Sequence, residues 1–323
     1  MRARRVFGYG TAVLAVCGVG LIGAVQLRWD RTFTAAEPAL RASTDPAVIE
    51  RGRYLAYGPA HCAYCHTTTE QWPALDAGEQ PPLSGGAVFK LPLGTFYSPN
   101  LTPDPETGIG RRTDGQLARI LRHGVRADGR AAMPFMTYQN LSDEDVVALI
   151  SFLRAQPPVR NEVPDHELRP LGRALFAFVI RPAGPSAPPP PAGPPEGPTI
   201  ERGEYLANNV AECAFCHTKR SLMDGSAKGP LFAGGLEMAL ESEPGTVLVS
   251  PNLTPDPATG HIQDWSEEKF IDRFRAGTLI EGSHMPWGAY TRMTDDDLRA
   301  IYRYLNSLEP VYYETGAMVQ QRR

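Results

Sequence analysis

Cysteine is scarce in this chain, at five among 323 residues, which excludes a small domain stapled by disulfides. A surplus of positive charge is missing as well. There are 32 Lys and Arg against 36 Asp and Glu, a formal charge of -4, so nucleic acid is not an indicated partner. Beyond the first 28 residues no long apolar run occurs, which excludes a multi-pass membrane protein. The period-two alternation of strands is rare. Apolar residues nevertheless make up 42% of the chain and charged residues 21%, enough to bury real cores and to exclude wholesale disorder. At about 150 residues per domain, the length predicts two domains. Proline and glycine, 31 of each, predict loop-rich domains and at least one linker.

The one long apolar run is N-terminal. Three arginines lie in residues 1–5, Val6–Leu27 runs 22 residues without a charge, and Arg28 closes it. As a helix this run is roughly 33 Å long, enough to cross a hydrocarbon core. Arginines ahead of it hold the N-terminus in the cytoplasm. Residues 1–28 are therefore expected to be a membrane anchor, with the rest of the chain exported. A cleaved signal peptide has a shorter apolar core and a small-residue cleavage site. Cys17 falls inside the run behind the bulky Val16, so it is expected to pack as a small apolar residue rather than to carry a lipid. Leu171–Ile180 is apolar apart from Arg173 but too short to span.

The chain repeats itself. Glu50-Arg51-Gly52-Arg53-Tyr54-Leu55-Ala56 returns as Glu201-Arg202-Gly203-Glu204-Tyr205-Leu206-Ala207, and Cys62-Ala63-Tyr64-Cys65-His66 returns as Cys213-Ala214-Phe215-Cys216-His217, both 151 residues on. Ser98–Pro105 returns intact as Ser250–Pro257, and Met133-Pro134 as Met285-Pro286, both 152 residues on. A period this long marks a tandem domain rather than a solenoid. The expected units are a first domain over 46–160, a connector and Pro-rich linker over 161–198, and a second domain over 199–315. Arg181–Pro198 holds nine prolines in 18 residues and reads as an extended, stiff spacer.

Within each unit the pattern is mostly helical. Pro46–Tyr57 and Thr199–Asn208 read as first helices. Ser142 is a plausible N-cap for a helix carrying Val146, Leu149, Ile150 and Leu153, stopped by Pro157 and Pro158. Thr294, Leu298, Ile301 and Leu305 repeat that pattern. Residues 67–100, rich in Gly and Pro, read as a long irregular loop.

Each unit carries Cys-x-x-Cys-His, the attachment signature of haem c. Two thiols add to the two haem vinyl groups, and the intervening pair lets one turn present both sulfurs. The following histidine then falls beneath the iron. Cys62, Cys65, Cys213 and Cys216 are the expected attachment residues, with His66 and His217 as axial ligands, for two covalently bound haem c. A zinc site would need the two cysteine pairs to meet, yet they are 151 residues apart. A redox dithiol would need a βαβ context.

Met133 and Met285 follow His66 and His217 by 67 and 68 residues, each before a proline. They are the expected sixth ligands, since a thioether stabilises ferrous iron. Met136 and Met293 have no methionine counterpart and read as packing. His284 neighbours Met285 and is the competing ligand, although its partner position is Ala132. His61 and His123 read as surface or supporting residues; His166 and His261 carry no signal.

At this point the chain resembles the multihaem cytochrome c subunits of bacterial membrane-bound dehydrogenases, such as those of alcohol and gluconate dehydrogenases. The resemblance covers about residues 46–320. It rests on Gly85-Gly86, Tyr97–Gly110 with its Ser-Pro-Asn-Leu-Thr-Pro-Asp-Pro core, Met133-Pro134 and Leu141-Ser142-Asp143-Glu144-Asp145. With the anchor read from residues 1–28, it implies a mostly α fold, two tandem class I-like cytochrome c domains behind an N-terminal transmembrane helix. It also implies a place in a bacterial inner membrane, single-pass, with the haem domains in the periplasm. In that family the haem domains pass electrons from a catalytic subunit to quinone or to an oxidase. Well-known members carry three haems where this chain has two motifs. A tryptophan usual in the family is present as Trp265 but replaced by Arg112 in the first unit. Either residue could bind a haem propionate; an exposed turn is the other reading of Arg112. The Asn-Leu-Thr triplets at Asn100 and Asn252 read as loop structure rather than glycosylation sites.

Two functions compete. An electron carrier exchanges electrons between a dehydrogenase or quinol-oxidising partner and an oxidase or soluble cytochrome. A dihaem enzyme, such as a cytochrome c peroxidase or thiosulfate-oxidising cytochrome, needs an iron that is open or bound by another ligand. Equivalent methionines in both units favour the carrier.

Overall fold

The structure is a computed structural model, and it describes residues 16–133, 136–221, 225–240 and 243–322. A first helix, α1, covers residues 16–28. The first repeat follows with α2 (Pro46–Tyr57), α3 (Cys62–His66), α4 (Trp72–Asp76), the strands β1 (Val88–Leu91) and β2 (Gly94–Tyr97), α5 (Asp114–His123), α6 (Asp143–Ala155) and β3 (Glu167–Leu168). Helix α7 (Pro170–Phe178) leads to the proline-rich stretch. The second repeat brings α8 (Ile200–Tyr205), α9 (Cys213–Cys216), β4 (Glu237–Ala239), β5 (Thr246–Val249), α10 (Glu267–Arg275), α11 (Trp287–Tyr290), α12 (Asp295–Ser307) and β6 (Val319–Gln321).

In each repeat the first helix crosses the last. Helix α2 lies on α6 and α8 lies on α12, and a glycine sets how closely. A Cβ on Gly52 would fall 1.9 Å from Ala148 O, and one on Gly203 would fall 1.9 Å from Ala300 O. Leu55, Leu141, Val146 and Ile150 fill the first core, and Leu206, Leu298, Ile301 and Leu305 the second. The caps are as the sequence predicts: Ser142 Oγ accepts from Asp145 N at 3.1 Å, and Thr294 Oγ1 accepts from Asp297 N at 3.1 Å.

Three expectations are corrected. Residues 67–100 are not wholly irregular: they contain α4 and the β1–β2 hairpin, joined through the Leu91–Gly94 pair. Each repeat has a three-stranded antiparallel sheet, in the orders β1-β2-β3 and β4-β5-β6. The third strands come from beyond the last helices, so the sheets are built by contacts that local alternation does not reveal. Second, helix Thr199–Asn208 is α-helical only over Ile200–Tyr205 and continues as a π turn through Val210. Third, the proline-rich stretch is more than a stiff spacer, because it bonds to both repeats. Pro190 O and Pro191 O accept from Asp143 N and Glu144 N at 3.0 and 3.1 Å, which satisfies amides that the start of α6 leaves without helical partners. Pro194 O accepts from Arg202 at 3.2 Å and Pro198 O from Arg303 at 2.6 Å.

Among the described residues no helix is long and apolar enough to cross a membrane. Of the expected span Val6–Leu27, residues 6–15 lie outside the described residues and the rest belongs to α1.

The repeats meet through an approximately two-fold, reciprocal seam. Tyr54 of the first donates its hydroxyl to Asp297 of the second at 2.6 Å, and Tyr205 of the second donates to Asp145 of the first at 2.7 Å. Each hydroxyl also accepts an amide at the start of the other repeat's last helix: Thr294 N at 3.2 Å and Ser142 N at 3.0 Å. Each buried aspartate is paired with an arginine of its own repeat, Arg51–Asp145 and Arg202–Asp297, both at 2.9 Å. Beside this seam Arg292 donates to Leu75 O, Gly78 O and Glu79 O.

Candidate haem-binding sites

The two Cys-x-x-Cys-His motifs occupy the same place in their repeats. The residue before each first cysteine is left-handed, with φ 38° at His61 and 54° at Glu212. That backbone turn starts α3 and α9, so Cys62 and Cys65, and likewise Cys213 and Cys216, lie one turn apart on a short helix. All four are half-buried. Burial is the main reason their thiols are held well above the ordinary range, at about 12 for Cys62 and Cys213 and about 11 for Cys65 and Cys216. Among the described residues no three His, Cys, Asp or Glu converge as a metal site, and the two pairs form no common zinc site.

The histidines are aimed by backbone. His66 is buried, and its Nδ1 lies 2.9 Å from Pro99 O. In the second repeat His217 Nδ1 lies 3.1 Å from Pro251 O. A carbonyl only accepts, so Nδ1 carries the proton and donates, and the lone pair is left on Nε2. Burial lowers the proton affinity of both rings, for His217 to about 4, which keeps each neutral and able to bind a metal. Such a hydrogen bond fixes the ring and raises its basicity as a ligand.

The Ser-Pro-Asn-Leu-Thr-Pro-Asp-Pro repeat holds those carbonyls in place. Asn100 Oδ1 accepts from Thr102 N and Oγ1 at 2.9 and 2.8 Å, and its Nδ2 donates to Thr107 Oγ1 and Val159 O at 3.1 and 2.8 Å. Asn252 does the same with Thr254, Thr259 and Val311. Both amides are buried and fully engaged, so the triplets are turn structure. Gly85 N donates to His66 O, and Gly234 N to His217 O, both at 2.8 Å. Gly85 has φ 74°, and a Cβ there would fall 2.5 Å from Pro99 C. The Gly-Gly pair therefore lets the loop close on the carbonyl that orients the histidine. The sequence marked these segments without this role; the readable signal was the near-equal spacing of His66 to Pro99 and His217 to Pro251.

Met285 packs against the buried core beside Trp287. His284 is exposed, with its Nε2 2.9 Å from Ala239 O. The two side chains thus have opposite environments. Met133 is half-buried on a cavity of about 110 Å³ that Trp29, Phe33, His166 and Phe176 also line, and His66 does not line it. Pro134 lies outside the described residues. Met293 is buried in the core, as read from its lack of a counterpart. Arg112 is exposed and lends its carbonyl to Arg154. Trp265 is partly buried, tilted against the His261 ring at 5.3 Å and edge-on to Phe270 at 6.4 Å.

The seam brings the two motifs together. The His61 ring stands edge-on to Tyr290, 5.9 Å away, and Tyr290 donates to Ala211 O at 2.5 Å. Glu212 accepts from Thr137 N of the first repeat at 3.1 Å and from the Thr137 hydroxyl. Its carboxyl is pushed up to about 7, chiefly by burial. Its charge is felt at all four motif cysteines.

The residues fit haem c: paired cysteines one helical turn apart, a following histidine with Nε2 free, and a methionine in the downstream loop. A family model described as cytochrome C oxidase, cbb3-type, subunit III, matches residues 47–153 and again 198–305. The chain is 33% identical over 306 residues to the cytochrome c subunit of a quinone alcohol dehydrogenase from Gluconacetobacter polyoxogenes, covering 87% of this chain and 62% of that one. It is 32% identical to the gluconate 2-dehydrogenase cytochrome c subunit of Pantoea cypripedii, covering 81% and 60%. It is also 30% identical to a dihaem c-type cytochrome of Cereibacter sphaeroides, covering 77% and 82%. The chain thus spans about three-fifths of the length of these two dehydrogenase subunits.

Proposed function

This chain belongs to the cytochrome c family described as cytochrome C oxidase, cbb3-type, subunit III, and from that premise we propose that it is a membrane-anchored dihaem electron carrier. Its cofactors are two covalently bound haem c groups, one in each domain. Cys62 and Cys65 hold the first and Cys213 and Cys216 the second. His66 with Met133, and His217 with Met285, would hold the two irons. The observation that carries the reading is the duplicated contact of His66 Nδ1 with Pro99 O and His217 Nδ1 with Pro251 O. It serves a metal-binding imidazole in both repeats, and a peptide carbonyl makes it insensitive to pH.

When bound, haem c supplies a one-electron iron couple. The chain's own residues do the rest. His66 and His217 present neutral rings held at a fixed angle. Methionine as second ligand favours the reduced state and raises the potential. The reciprocal seam holds the two attachment motifs side by side.

The span Val6–Leu27 anchors the chain in a bacterial inner membrane, with the haem domains in the periplasm. Several relatives are subunits of dehydrogenases, which supports a dehydrogenase subunit or quinol-oxidising partner as donor. An oxidase or a soluble cytochrome is the acceptor.

The test is the mass of the intact, denatured chain. It should exceed that of the apoprotein by two haems, and replacing Cys213 and Cys216 together by serine should leave one. A single haem in the native chain, or release of all haem into acidified organic solvent, contradicts the assignment.

A further inference from the structure

Residues 21–26 of α1 and the start of α7 enclose an apolar cleft of about 410 Å³, lined by Leu21, Ile22, Val25, Leu168, Pro170 and Arg173 among others. Helix α7 carries one charge, Arg173, in its nine residues. Its Leu171, Ala174, Leu175 and Phe178 recur at i, i+3, i+4 and i+7 and share one face. That face is exposed at both ends and half-buried between: Leu171 is 56% exposed and Phe178 41%, with Val179 beyond the helix 43% exposed, while Ala174 and Leu175 are half-buried. Arginines rim it. The Arg28 guanidinium lies 5.8 Å from the Phe178 ring, and that of Arg173 5.1 Å from the Trp29 ring. Arg31 donates to Ile180 O at 3.0 Å. Burial and then the neighbouring Arg181 and Arg28 lower the proton affinity of Arg31, as expected where cations crowd.

Depth decides what covers this face. The span ends at Leu27, and at about 1.5 Å per residue Leu21 and Ile22 lie roughly 8–9 Å below that end. Pro170 and Arg173 of the first turn of α7 line the same cleft as those residues, so that turn stands level with the last turns of the span. Depths of about 5–10 Å are those at which helices lying in the membrane interface bury their apolar faces. Trp29, just past the span, is of the residue type that settles at the headgroup level.

We propose that α7 lies in the membrane interface as a second attachment to a phospholipid surface bearing anionic headgroups. Leu171, Leu175 and Phe178 enter the acyl boundary, and Arg28, Arg31, Arg173 and Arg181 meet the phosphates. The site rests on the reading of Val6–Leu27 as a span. It would fix the orientation of the first domain, which a single flexible anchor would not.

The test uses the full-length, haem-loaded chain, reduced so that its irons are diamagnetic, in vesicles of phosphatidylcholine with phosphatidylglycerol. A nitroxide is placed at Phe178→Cys in a Cys17→Ser background, with Leu279→Cys, 65% exposed in the second repeat, as the aqueous control. The label at 178 should be open to oxygen and shielded several-fold from a water-soluble nickel chelate relative to 279. Pure phosphatidylcholine, or Gln at Arg28, Arg173 and Arg181, should reduce that shielding. If 178 is as open to nickel as 279 in protein that resists alkaline carbonate extraction, the anchor stands and the proposal falls. Shielding from oxygen and nickel alike marks a protein contact and overturns it too. Shielding indifferent to lipid charge overturns the anionic headgroup. If carbonate releases the chain, the span is wrong, and failure of the released chain to float with the anionic vesicles then overturns the proposal on its own.

Discussion

Pro99 and Pro251 lack an amide hydrogen but keep a carbonyl, and that oxygen is what the two histidines use. Glu212 is the residue with the sharpest chemical consequence at this scale. It is 9% exposed, its carboxylate accepts from Thr137, and burial raises its pKa to about 7 from an ordinary 4.5. The folded protein therefore binds more protons than the unfolded one between those values. Its contribution to stability is full below about pH 4.5, shrinks as pH rises, and is gone above about 7. The difference amounts to something of the order of 3 kcal/mol. Denaturation midpoints of the wild type and Glu212→Gln, compared at pH 5 and pH 8, should show the wild type losing stability with pH more steeply than the variant. Parallel pH profiles would mean that Glu212 titrates as an exposed carboxylate.

At the scale of elements, the crossing of α8 on α12 rests on the bare Cα of Gly203. A methyl group there would meet the Ala300 carbonyl at 1.9 Å, so the two helices must separate. Gly203→Ala should destabilise the protein by about 3 kcal/mol or more, the upper range for overpacking an interior. The fall in denaturant midpoint measures it, and an unchanged midpoint would show that the helices do not pack as described. The helices were legible in the sequence because their signals are local: Ser142 and Thr294 as caps, apolar residues at helical spacing. Helix α5 carries an equally local signal, the capping box of Thr113 and Gln116. The strands were not readable. Four residues are too few for alternation to register, and β3 and β6 count as strands only because β2 and β5 lie beside them. Among the candidate site residues, the cysteines, histidines and methionines were picked out by identity and spacing. The role of Pro99 does not, because any residue has a carbonyl and only the fold shows where it points.

At the scale of the whole molecule, the seam makes one body of two repeats. Tyr54 and Tyr205 sit within the most obvious repeat in the sequence, yet the partner of Tyr54 is 243 residues away, beyond any local pattern. Hydrogen bonds to charged groups contribute about 1.5–3 kcal/mol each. Tyr54→Phe and Tyr205→Phe should each lower the denaturant midpoint by a comparable amount, since their surroundings mirror one another, and each aspartate keeps its arginine. A marked asymmetry, or no loss in either, would contradict the reciprocal seam.

The central claim is that both irons are closed by a histidine and a methionine, so that the protein carries electrons and does not transform a substrate. The most direct test is the weak near-infrared absorption of methionine-bound ferric haem, counted per chain in the oxidised native protein. Two equivalents are expected, falling to about one in Met285→Ala and unchanged in His284→Ala. One equivalent or none in the native chain, or loss of a band on replacing His284, would contradict the account.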